Sequence, residues 1–245
     1  MPWIEALRVT PWGMVVGTEE NNRFLNGLAP GTRLQLEPRL TVHGGGIGDV
    51  LQAGSTSIDA IWFPLSGIVS TLRPLEDESS VEVDAAGAEG FVGIELALGR
   101  RRTPDTWLVQ SPGRFARLDA QAFVALFDRD AALREAVLRY IAAVLAVRGQ
   151  WVACNARHTI EQRLAKWLLA ARDRVGEDIQ ITQDVVAMML GVRRASVVTV
   201  LGRLVDDGLV AHGYARVRIL DDRRLEAVAC PCYATAAELL RGAVA

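Results

Sequence analysis

Between Leu34 and Leu118 the chain runs in short apolar stretches, VLQAG, IDAIWFPLSGIVSTL, SSVEVDAAGAEGFVGIELALG and TWLVQSPGRFARL, punctuated by glycine and proline. Short strands between turn residues predict an all-β barrel or jelly roll. The four glycines of HGGGIGDVL fit the tight turns of such a barrel, because their spacing is not that of a dinucleotide fingerprint and a strand-like run follows them. The period changes after Leu118. Asp119 is placed to cap a short helix through Phe127, and from Arg129 apolar residues recur at helical spacing, notably Leu133, Val137, Ile141, Val144 and Trp151. So long a stripe would leave a bare apolar face on a single chain, which predicts pairing with the same helix of a second copy. The competing reading lays this helix on its own barrel. Upstream, residues 1–20 hold no period and read as a loose arm, and Asn22 to Leu28 suit one short helix.

After a break near Ala156, an amphipathic helix carries Leu164, Trp167, Leu168 and Ala171 to a stop at Gly176. Thr182 then caps QDVVAMML, Gly191 marks a sharp turn, and VRRASVVTVLGRLVDDG places Val197, Val200, Leu201 and Leu204 on one face. Arg193, Arg194, Ser196, Thr199 and Arg203 fall largely off that face. Helix, tight turn and second helix form the plan in which the second helix enters a major groove. Alternation in LVAHGYARVRIL about Gly213 predicts a two-stranded wing, with Arg216 and Arg218 leaving one face toward flanking phosphate. Arg194 is the first candidate for reading a base, since a guanidinium can donate two bonds to guanine O6 and N7. Ser196 and Thr199 suit bases or phosphates, and the helix start at Thr182 and Gln183 offers backbone N–H groups to a phosphate.

Charge and composition narrow this picture. Twenty-seven basic against 29 acidic residues give a net charge of −2, so any nucleic-acid face must be local. No run approaches the ~20 apolar residues of a membrane span. The longest candidate, from Ala136 to Val147, is interrupted by Arg139, and the start MPWIEALRVTPWG makes a poor secretory signal. A cytoplasmic protein with no membrane partner is expected. Cys154, Cys230 and Cys232 are too few and too uneven for a disulfide framework. His43, His158 and His212 lie far apart in sequence, which argues against a catalytic cysteine–histidine pair, and three cysteines cannot supply the usual four-thiolate iron–sulfur site. The C-x-C pair Cys230 and Cys232, which with a third ligand would bind a metal, reads as inert thiols, so no metal or iron–sulfur cluster is assigned.

ITQDVVAMMLGVRRASVVTVLGRLVDDGLV resembles the DNA-binding module of the Crp/Fnr family of bacterial transcription regulators, and IWFPLSGIVSTL with EGFVGIELALG resembles that family's effector barrel. The resemblance implies an α+β chain: an N-terminal β-roll, a long dimerisation helix and a C-terminal winged helix-turn-helix. Carried over position by position, the base-reading surface falls on Arg193, Arg194, Ala195 and Thr199. Ala195 stands where cyclic-AMP responders of the family commonly carry an acidic residue. The family's nucleotide pocket falls on Gly93, Ile94, Glu95, Arg100, Arg101, Arg102 and Thr103. There the Gly-Glu pair is broken by Ile94, and the phosphate-gripping pair becomes Thr103 and Pro104, beside Asp105. A proline has no N–H to give and a carboxylate opposes an anion, so cyclic AMP is not expected as effector and no cofactor is assigned.

The expectation from sequence is therefore a homodimeric, non-enzymatic regulator that binds double-stranded DNA at a pseudo-palindromic operator, with RNA polymerase as a further partner and the effector open. Its units are a 1–20 arm, a 21–128 β-roll, a 129–156 dimerisation helix, a 157–232 winged helix-turn-helix and a 233–245 tail. The alternative is a ligand-binding or enzymatic barrel that dimerises through its helical tail without DNA.

Overall fold

The computed structural model describes residues 22–77 and 79–243, so the expected arm lies outside the described residues. Asn22, fully buried, accepts from the Leu25 N–H to start α1 (Arg23–Gly27) and donates to the Pro64 and Gly90 carbonyls at 2.9 and 2.7 Å. Proline at the first turn then opens α2 (Pro30–Leu36), a helix that the strand-like reading from Leu34 missed.

Seven antiparallel strands form the β-roll. One sheet has the order β1–β7–β3 and the other β2–β6–β4–β5, with β1 Thr41–Gly45, β2 Val50–Gln52, β3 Ala60–Pro64, β4 Ile68–Pro74, β5 Ser80–Ala86, β6 Thr106–Ser111 and β7 Gly113–Asp119. β3 is buried along its whole length because both of its faces are covered. Phe24, Phe63, Phe91 and Tyr140 meet in tilted ring contacts at the centre of this core.

Asp119 caps α3 (Ala120–Arg129), and Asp130 caps the long α4 (Ala131–Arg157). Here the structure corrects the proposed interface. Leu133, Val137, Ile141 and Val144 are at most 3 % exposed and belong to the β-roll core, so the helix lies on its own barrel. The cause is a close approach. Any side chain at Gly90 would collide with the Tyr140 hydroxyl, which donates to the Phe91 carbonyl at 3.2 Å and accepts from the Phe91 N–H at 3.1 Å. Although α4 is long and apolar enough to cross a bilayer, contrary to the run-length reading, Leu133, Val137, Ile141 and Val144 commit one of its faces to this core.

Thr159 and Gln162 form a reciprocal cap for α5 (Ile160–Val175). Next come β8 (Asp178–Gln180), α6 (Gln183–Leu190), α7 (Arg194–Asp206), β9 (Val210–Gly213) and β10 (Arg216–Ile219). β10 pairs with both β9 and β8, so the expected two-stranded wing is part of a three-stranded sheet. α8 (Asp222–Val228) and α9 (Cys232–Ala243) follow. The expected 233–245 tail is thus, through Ala243, a helix packed along α4 and α5.

The unit that begins at α5 sits directly on the roll, and α4 is tied to the roll as well. Arg174 of α5 pairs with buried Glu89 at 2.6 Å, Arg148 of α4 pairs with Asp84 of β5 at 3.0 Å, and the Trp167 indole donates to Glu82 at 3.3 Å. Burial pushes the Glu82 carboxyl up to about 7 and also raises Asp84. At Glu89 the same burial is outweighed by Arg174, which holds that carboxyl below its ordinary range.

Candidate nucleic-acid interface

The Thr182 hydroxyl accepts from the Val185 N–H and starts α6, whose last carbonyls are closed by Gly191 at φ 61° and ψ 43°. That left-handed turn is open to glycine at little cost, and it swings α7 away from α6 by 107°. Val197, Val200, Leu201 and Leu204 anchor α7 to the core of the unit. Its opposite face therefore projects outward. Arg193, Arg194, Ala195, Thr199 and Arg203 are all exposed on it, and Ser196 is half-buried at its edge.

These side chains are not all free. Arg194 Nε lies 3.2 Å from Asp184 Oδ1 of α6, and the Thr199 hydroxyl bonds back to the Ala195 carbonyl at 3.0 Å. Arg216 and Arg218 leave one face of β10, but both turn toward Asp178 of β8, at 3.0 and 3.5 Å. The third strand that the sequence reading missed supplies that carboxylate. Gln183, at the start of α6, contacts the His212 ring at 3.3 Å, which joins the helix start to β9.

Sequence reasoning overlooked three exposed groups here: His212, Tyr214 at the fully exposed tip between β9 and β10, and Val198 on α7. A tyrosine at the apex of a predicted hairpin was the available signal. Ala215 beside it takes a positive φ of 50°, which holds the tip in a tight turn.

The residues carried over to the effector pocket do not come together. Gly93, Ile94 and Glu95 line a cavity of about 10 Å³ with Thr71, Asp84, Trp107 and Arg148. Glu95 is kept uncharged more readily by its burial, which raises its pKa, and its Oε2 has no partner among the described residues. Arg100, Arg101 and Arg102 instead stand on an exposed loop away from that cavity. Thr103 is buried, with its hydroxyl accepting from the Asp105 N–H, and Asp105 is engaged by Arg73. The opposing carboxylate anticipated from sequence is thus already paired.

The thiols are also not where sequence spacing put them. Cys154 and His158, at the end of α4, meet Cys230 and Cys232, which flank Pro231 at the start of α9. Distance along the sequence between these cysteines and His158 is thus overridden by the fold. Burial pushes the Cys154 thiol up to about 12 and raises Cys230 as well, while burial lowers the pKa of nearby Lys166.

Residues 162–228, the segment containing both helices and the wing, match the family described as a Crp-like helix-turn-helix domain. A search of curated proteins finds no match by sequence. Among solved structures, FixK2 from Bradyrhizobium japonicum superposes with a TM-score of 0.67 at 14% identity, covering 78% of this chain and 98% of its own. A CRP/FNR-family transcriptional regulator from Thermus thermophilus gives 0.64 at 20% identity, with coverage of 77% and 97%. The c-di-GMP responsive regulator CLP from Xanthomonas campestris gives 0.64 at 15% identity, with coverage of 79% and 100%. At these identities the likeness speaks for the fold, and the domain match speaks for the helix-turn-helix. Residues 162–228 are therefore a Crp-like helix-turn-helix domain, set behind a β-roll and a long helix in the fold shared with solved transcriptional regulators of the CRP/FNR family.

Proposed function

We propose that the protein acts as a homodimer that reads a pseudo-palindromic operator through α7. The observation that carries this reading is the outward polar face of Arg193, Arg194, Ala195, Thr199 and Arg203, held at 107° to α6. Arg194 suits guanine, with Asp184 holding its guanidinium until a base replaces it. Ser196, Thr182 and Gln183 suit phosphate or base edges. Arg216 and Arg218 are assigned to flanking phosphate, with Asp178 moderating their charge.

The dimer contact moves to the other side of α4. Leu138, Ala142, Leu145, Gly149 and Val152 are exposed and alternate at spacings of four and three, the heptad seam of a two-stranded coiled coil. Leu145 and Val152 expose 54% and 72% of their surface. Two copies pairing there would cover a stripe that a lone chain leaves in water. Trp151 packs inward and takes no part.

The small cavity at Gly93 to Glu95, whose cation Arg148 is already paired with Asp84 at 3.0 Å, supports the view that cyclic AMP is not the effector, since a buried phosphate needs its own paired cation and donors. Such a regulator works on chromosomal DNA in the cytoplasm, with RNA polymerase as the further partner. Selection of bound duplexes from a random pool should return an inverted repeat with half-sites about 34 Å apart. Recovery of no motif overturns the reading. In light scattering, Leu138→Glu with Leu145→Glu should yield folded monomers, whereas Val137→Glu should disrupt the roll itself.

A further inference from the structure

At the elbow between α4 and α5, apart from the outward face of α7, four ligand atoms converge. Cys154 and His158 are four residues apart and so share a helix face. Cys230 and Cys232 are brought beside them by the turn into α9. The three Sγ atoms and a ring nitrogen of His158 all lie within 4.8 Å of one another. Cys154 Sγ is 3.5 Å from Cys230 Sγ, and Cys232 Sγ is 3.5 Å from His158 Nδ1. A tetrahedral ion with thiolates at about 2.3 Å sets neighbouring sulfurs about 3.8 Å apart, so the cluster has the dimensions of one mononuclear site. A cluster several iron atoms across would hold its thiolates further apart.

The surroundings distinguish this group from ordinary buried thiols. The Gln150 side-chain amide donates to Cys232 Sγ at 3.0 Å. Lys166, the only lysine in the chain, is buried close by with its ammonium 3.6 Å from the centre of the Trp151 ring. A hydrogen-bond donor and a buried cation beside three sulfurs suit an anionic cluster better than three neutral thiols. Three thiolates and one dication leave a charge of −1, which Lys166 offsets.

We propose that Cys154, His158, Cys230 and Cys232 form a tetrahedral site for one thiophilic divalent cation of the zinc type. Loading exchanges the three thiol protons for the ion, which is then held by three thiolates and neutral His158 through Nδ1. The ion ties the last turn of α4 to the first turn of α9, and so fixes the elbow from which the DNA-binding unit departs.

The test uses the full-length chain, reduced, stripped with chelator and kept anaerobic, titrated with Co(II) and then Zn(II). The expected result is saturation at one equivalent, with intense visible bands of tetrahedral cobalt and a thiolate-to-cobalt charge-transfer band, both abolished by Zn(II). Zinc should also protect all three thiols from alkylation. Cys230→Ser should lose the tetrahedral spectrum, and Gln150→Ala, which leaves the four ligands in place, should weaken binding by about 10–100-fold. The wild-type titration decides even if Cys230→Ser fails to fold. Weak six-coordinate cobalt, no saturable binding, an unchanged spectrum in Cys230→Ser, or a protein purified anaerobically with an iron–sulfur chromophore would each overturn the proposal.

Discussion

At the seam between the β-roll and the DNA-binding unit, Arg174 meets Glu89 at 2.6 Å with 16% and 5% of the side chains exposed, whereas on α7 Arg194 meets Asp184 at 3.2 Å with 62% and 73% exposed. The chemistry of the two pairs is the same. Water decides their uses. At the seam neither partner can recover its hydration without the domains parting, and Arg174 also donates to the Ala85 carbonyl at 3.0 Å. On the surface, little free energy is lost when Arg194 leaves Asp184, so the guanidinium is available to a base edge. One pair joins two units and the other holds a side chain ready.

Removing the buried cation should give the largest effect. Arg174→Ala leaves buried Glu89 with only the long contact to Arg23 at 3.9 Å and the Gly87 N–H, and should cost about 3 kcal/mol in chemical denaturation. A loss within the range of a surface pair would erase the contrast. Second, Arg194→Ala should cost about 1–3 kcal/mol of operator affinity at fixed salt and relax preference at one base pair per half-site, with stability little changed. Uniform weakening across all sequences would instead make Arg194 a phosphate contact.

The seam should also respond to pH. Glu82 is raised from 4.5 to about 7 in the fold, so between those values the folded chain binds more protons than the unfolded one. Its contribution to stability is full below about 4.5 and is lost as pH rises through about 7. Glu82→Gln should flatten that slope in denaturation curves taken across the window, while leaving the acid-side behaviour of Glu89, shifted the opposite way, intact. The smallest effect belongs to the exposed pair. Asp184→Asn should change stability by less than about 1 kcal/mol and, by freeing Arg194, modestly raise affinity for DNA in a binding titration.

The helix-turn-helix was the most legible part of the chain because its signals are local. Thr182 as cap, Gly191 as turn and the Val197, Val200, Leu201 and Leu204 stripe are each read within one or two helical turns. The β8 strand that turns Arg216 and Arg218 toward Asp178 was not legible, since a three-residue strand has no period of its own and exists only by pairing with β10. The effector residues separated for a similar reason. Neighbours in sequence from Gly93 to Thr103 lie on either side of a turn that sends Arg100 to Arg102 into solvent.

Local pattern by itself determined the succession of roll, long helix and helix-turn-helix, the length of α4 and the outward face of α7, though not α2, β8 or α9, because helical period, caps and turn residues act over a few positions. Only the tertiary structure decided which face of α4 is buried. Its two apolar stripes, Leu133 to Val144 and Leu138 to Val152, are both periodic, and the contact of Gly90 with Tyr140 assigns the first to the roll and leaves the second to water. It also brought Cys154 and His158 to Cys230 and Cys232 across more than seventy positions. A helix period carries no information about what lies against it, and the folding of α9 back along α4 supplies those neighbours.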